Sequence, residues 1–85
     1  MTLKELIEPM KSDAKILILR GEESAIFYGH KWRVHHFFEK SAERARRMGV
    51  TPYERREARL LTVTEDGLFV FKIVDREMEG TGNER

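Results

Sequence analysis

Residues 57–74 read EARLLTVTEDGLFVFKIV. Two runs rich in branched and aromatic residues flank Asp66-Gly67, the strongest short hairpin signal in the chain. With Asp66 and Gly67 as the two loop residues, Thr64 faces Phe69, Thr62 faces Phe71 and Leu60 faces Ile73. The other face then holds Leu61, Val63, Val70 and Val74, interrupted by Lys72. Upstream, residues 14–20 (AKILILR) and 24–29 (SAIFYG) flank Gly21-Glu22-Glu23 and form a second hairpin, antiparallel because its connection is so short. The two hairpins predict one four-stranded antiparallel sheet.

Both hairpins are apolar on both faces: Ile16 and Ile18 against Leu17 and Leu19, and Phe69, Phe71 and Ile73 against Val70 and Val74. An antiparallel sheet with one wet face alternates apolar and polar residues. Either helices cover both faces, or another chain buries one of them, and a homodimer through the second face satisfies this pattern.

The helices complete an α+β chain of order α-β-β-α-(short α)-β-β. Thr2-Leu3-Lys4-Glu5 fits a capping box, and Leu3, Leu6, Ile7 and Met10 share one face of a short helix that Pro9 ends. Residues 33–48 carry a stripe of Val34, Phe37, Phe38, Ser41, Ala42, Ala45 and Met48, with Gly49 placed to stop the helix. Its other side holds His36, Glu39, Lys40, Glu43, Arg44, Arg46 and Arg47. Glu43 and Arg47 have the spacing of a favourable pair. Thr51-Pro52-Tyr53-Glu54 predicts a second capping box and a turn or two of helix ending near Arg56. Residues 1–75 make one domain, and residues 76–85 read as a flexible tail.

Composition narrows the function. The chain has 85 residues and no cysteine, so it has no thiol chemistry and no Cys-based zinc site. No apolar run approaches the roughly 20 residues of a membrane helix. The N-terminus mixes acids with apolar residues and does not read as a signal peptide, which sets a cytoplasmic expectation. Residues 30–59 contain nine Lys/Arg and four Glu, a net of +5; the remainder carries −4, so a total of +1 conceals a basic middle.

That middle supports two functions. In the first, Trp32, His36, Lys40, Arg44, Arg47, Tyr53, Arg55 and Arg56 bind the acidic surface of a partner protein, the arginines pairing with carboxylates and the aromatics supplying buried area. In the second, the basic 31–59 surface binds nucleic acid, with Trp32 or Tyr53 stacking on a base. Glu39 and Glu43 lie among the cations and break a phosphate track. The sequence pI of about 8.1 also falls below the basic footprint usual for nucleic-acid binding, and both features favour the protein partner. His30, His35 and His36 cluster but lack metal-site spacing, so no metal or cofactor is expected. No phosphate loop or nucleophile motif is present, and a non-enzymatic role follows.

The pattern of Thr2-Leu3-Lys4-Glu5-Leu6-Ile7, a hairpin, a helix, and the closing pair Arg56-Glu57-Ala58-Arg59-Leu60-Leu61 and Gly67-Leu68-Phe69-Val70-Phe71-Lys72-Ile73 resembles small accessory proteins of phages and mobile elements of Gram-positive bacteria. The resemblance spans roughly residues 1–74. The long basic helix and the 51–59 insertion depart from the shorter, more acidic members. It implies a small binding protein, in some cases an anti-CRISPR-like inhibitor of a host defence nuclease.

Overall fold

The computed structural model describes residues 1–21 and 24–74. The elements are α1 (Leu3–Ile7), β1 (Lys15–Arg20), β2 (Ser24–His30), α2 (Val34–Met48), β3 (Ala58–Val63) and β4 (Leu68–Ile73). Short 3₁₀ turns at Lys31–Arg33 and Tyr53–Arg55 flank α2 on its two connections. Among the described residues, no helix is long and apolar enough to cross a membrane.

Both hairpins form, but the sheet they build is mixed. Its order is β2-β1-β4-β3, with β1 and β4 side by side and parallel. The antiparallel expectation fails because of α2. Fifteen helical residues span about 22 Å at 1.5 Å each, as long as a strand of this sheet. The helix therefore returns the chain to the end where β2 began. β3 must then run in the direction of β2, which makes β4 parallel to β1. A crossover helix between parallel strands is the usual device for this geometry. The central positions of β1 and β4 do not by themselves account for their two-faced apolarity: both helices cover one face, and Leu17 and Leu19 on the other are half-buried.

The register departs from the simple hairpin. Leu60 lies opposite Phe71 and Ala58 opposite Ile73, while Thr62 lies opposite Val70. Leu61 is the extra residue of a bulge that shifts the pairing between these points. The loop has three residues, not two: Gly67 N–H donates to the Thr64 carbonyl at 3.0 Å, and Thr64 N–H to the Leu68 carbonyl at 2.9 Å. Gly67 has a φ of 88°, the left-handed residue that follows a type I turn in such loops. A second bulge in the other hairpin leaves Ile26 as its extra residue.

Register sorts the strands into two faces. Ile16, Ile18, Phe27, Phe69, Phe71, Ile73 and Ala58 share one. Of these, Ile16, Ile18, Ala58, Phe71 and Ile73 join Leu3 and Ile7 of α1, Val34 of α2 and Tyr53 in the buried core cluster. Leu6, Met10, Ile26, Phe27, Phe37, Phe38 and Phe69 pack at its margin. Both helices thus cover the same face. Val70 and its neighbours on the opposite face belong to no part of that cluster.

Local signals place the helices. The Thr2 hydroxyl accepts from Glu5 N–H at 3.2 Å, and the Glu5 carboxylate accepts from Thr2 N–H at 2.8 Å, completing the expected capping box. Gly49 closes α2 at φ 70°. The second capping box does not form: Pro52 precedes the 3₁₀ turn without a side-chain cap. The free amide of that turn, Tyr53 N–H, donates instead to the Ser41 hydroxyl at 2.8 Å. This buried bond fastens the segment after α2 to the helix. The expected tail at 76–85 lies outside the described residues.

Candidate binding surface

The eight residues singled out in the sequence separate into three environments. His36, Lys40, Arg44 and Arg47 occupy positions i, i+4, i+8 and i+11 of α2, which places them along one flank at 3.6 residues per turn. Glu43 lies three residues after Lys40 and four before Arg47, a neighbour of both on this side, and Glu39 lies at its edge one turn after His36. The flank is therefore a mixed-charge surface, with one acid among its cations and one beside them. His36, Lys40 and Arg47 are exposed, and Arg44 is half-buried. No ion pair joins Glu43 to Arg47 among the described residues; the one carboxylate contact on the flank is His36 Nδ1 to Glu39 at 3.8 Å, between two exposed side chains.

Trp32 stands at the N-terminal end of α2 and is 58% exposed. It stacks on His30 with ring centroids 6.2 Å apart and nearly parallel planes, and the Arg33 guanidinium lies 6.0 Å from its ring. Backbone contacts hold this corner, with Trp32 N–H donating to the Ser12 carbonyl at 3.0 Å. His35 Nδ1 lies 3.0 Å from the Trp32 carbonyl. The first turn of α2 has no acid, so nothing in it offsets the positive end of the helix dipole beside Trp32.

Tyr53 and Arg56 are withdrawn from the surface. Tyr53 is 7% and Arg56 1% exposed. Tyr53 stacks on Phe37 with centroids 5.8 Å apart, and the guanidiniums of Arg20, Arg44 and Arg56 lie 5.9, 5.5 and 5.3 Å from its ring. Arg20 Nη1 donates to the Tyr53 hydroxyl at 3.0 Å, and Arg56 Nε donates to the Thr51 carbonyl at 2.9 Å. These contacts are structural: aromatic and cationic side chains together anchor the connection between α2 and β3. Neither residue can supply contact area to a partner in this conformation. The heptapeptide Thr51–Glu57 looks like exposed basic surface in sequence only because burial of an arginine leaves no mark on hydropathy.

Arg55 is exposed and lines a shallow concavity of about 300 Å³ with Ala42, Ala45, Arg46, Val50, Pro52 and Glu54. It lies near the C-terminal end of α2, at the opposite end of the helix from Trp32. Lys31 also leaves the basic surface, because its Nζ donates to the Glu8 and Met10 carbonyls at 2.9 and 3.0 Å. The +5 segment is thus divided: some cations brace the fold, and others remain exposed on α2 with Glu43 among them.

His30, His35 and His36 do not converge on a ligand set. His35 and His36 rings are 4.2 Å apart, but no group of three metal-ligating side chains occurs among the described residues. Sequence reasoning placed Lys72 on the second sheet face but did not join it to Lys15 and Arg59. The alternation of Lys15, Leu17 and Leu19 was legible, whereas the pairing of Arg59 with Lys72 comes from the observed register. Comparison with family models, curated proteins and solved structures returned no match for this chain.

Proposed function

We propose that this chain is a small non-enzymatic binding module that takes an acidic protein surface on the outer flank of α2. The observation that carries the reading is the arginine-rich, mixed-charge flank of His36, Lys40, Arg44 and Arg47, with Glu43 among its cations, set beside a Trp32 that is 58% exposed. Arginine and tryptophan are the side chains that most often dominate protein interfaces, arginine by bidentate pairing and tryptophan by buried area. A host nuclease would be one partner of this kind, as the resemblance to phage accessory proteins implies. Glu43 among the cations and Glu39 beside them favour a protein over a continuous phosphate backbone, because they would repel one and could pair with a partner's cations.

Affinity capture from nuclease-treated lysate of the encoding organism tests the reading. The control is Lys40→Glu/Arg47→Glu, which reverses two exposed charges and spares Arg44 against Tyr53. Wild-type protein should retain a discrete partner that the double variant loses. Equal capture by both would remove the α2 flank from the interface.

A further inference from the structure

The second site lies on the other side of the molecule. The four strands contain no Asp or Glu, yet carry Lys15, Arg20, Arg59 and Lys72. Arg20 pairs in register with Ile73 and turns to Tyr53 on the covered face. The other three fall on the open face with Leu17, Leu19, Tyr28, Leu68 and Val70. In register, one row across the sheet reads Tyr28, Leu17, Val70, Thr62. Tyr28 is 67% exposed, and Val70, between Leu17 and Thr62, is buried. Cations bracket this row. Lys15 lies on one side, and Lys72 and Arg59 lie on the other, offset from Lys15 by about 13 Å along the strand direction at 3.3 Å per residue.

Arg59 and Lys72 are direct cross-strand partners. Like charges in that position are destabilising, so the pair costs the fold stability and calls for an anion to offset it. Two acids beside the strands already have partners. The Glu57 carboxylate accepts from the Met1 ammonium at 3.2 Å, and the Asp66 carboxylate accepts from the Thr64 hydroxyl and lies within electrostatic reach of Lys15. A second copy laid on this face would add three more cations and no carboxylate, which argues against self-pairing here.

We propose that the open face of the sheet binds single-stranded nucleic acid, with Tyr28 stacking on a base over the Leu17–Val70 floor and Lys15, Arg59 and Lys72 meeting phosphates. An exposed aromatic between cations on an aliphatic floor is the arrangement that sequence-tolerant single-strand binding uses. A duplex hides its base faces and fits it less well. This site is independent of the α2 flank, so either can fail alone.

Fluorescence anisotropy with labelled 12-nucleotide oligo-dT and oligo-U tests it, the two probes separating DNA from RNA. Three neutralised phosphates give a log–log salt slope of about −2, so affinity should fall about 100-fold between ~20 and ~200 mM salt. Tyr28→Ala should weaken binding about ten-fold through lost stacking. Arg59→Glu should weaken binding several-fold yet hold or raise the melting temperature, because it sets opposite charges across from Lys72. That separation of folding from binding distinguishes a site from a structural role. The proposal is overturned if neither oligonucleotide binds at ~20 mM salt. It is overturned equally if binding survives Tyr28→Ala and Arg59→Glu but is lost in Lys40→Glu/Arg47→Glu. Equal affinity for poly-glutamate with no effect of Tyr28→Ala would assign the face to an acidic protein instead. A dimer in light scattering that buries Tyr28 would assign it to a second copy.

Discussion

Ser41→Ala should destabilise the domain far more than its size suggests. Ser41 is 5% exposed on the inner stripe of α2, and its hydroxyl accepts from the Tyr53 amide at 2.8 Å. Alanine fits the space and is the better helix former. Its effect therefore comes from the bond alone: the Tyr53 N–H is left buried without a partner. An orphaned buried donor costs about 1–3 kcal/mol. For a domain of this length each kcal/mol shifts Tm by about 4–8 °C, so the melt should fall by about 5–20 °C. Circular dichroism melts and urea titration read the loss. Amide hydrogen exchange should locate it, with Tyr53 protected in the parent and fast in the variant. Glu43→Ala, exposed on the same helix, is the control and should stay within about 0.5 kcal/mol. A Ser41→Ala variant equally close to the parent would refute the reasoning, because the connection between α2 and β3 would then not be fastened by this bond.

Phe71→Ala, at a side chain 2% exposed in the central strand, should cost about 3–5 kcal/mol and remove much of the stability measured by urea unfolding. Gly49→Ala should cost about 1–2 kcal/mol by thermal melt, through the left-handed φ of 70° and not through collision, since a Cβ there meets nothing within 4 Å. Asp66 has its carboxyl held below the ordinary aspartate value, chiefly by the hydrogen bond from Thr64. A depressed folded-state value means this contribution is present above the unfolded value near ~4 and is lost as pH falls through the folded one. NMR titration should find the midpoint low in the parent and returned towards ordinary in Thr64→Ala.

Much of this architecture was legible because local signals agreed with one another. The Thr2/Glu5 box, Gly49 and the two turn-bounded apolar pairs each act within a few residues, and each appears where local chemistry puts it. What local chemistry does not carry is how the hairpins lie together. Strand direction across the sheet depends on α2 being as long as the strands it spans, a comparison between distant elements. The bulge at Leu61 is likewise set by what the two faces must pack against, which a turn rule does not contain. The site was half legible. Periodicity predicted the outer side of α2, including the place of Glu43 among its cations. Tyr53 and Arg56 were read as surface because neither residue type announces burial, and Ser41 as a small filler because its partner is an amide twelve residues away.

The protein contains a single tryptophan, and it stands at the end of the proposed binding flank. Trp32 emission therefore reports the central claim without a label. A partner isolated by the capture experiment should be titrated into the protein while emission and acrylamide quenching are followed. Binding to the α2 flank predicts a blue shift and reduced quenching as the indole is buried, both absent when the Lys40→Glu/Arg47→Glu variant is titrated. A complex that forms with Trp32 emission and quenching unchanged would contradict the account and move the interface elsewhere on the molecule.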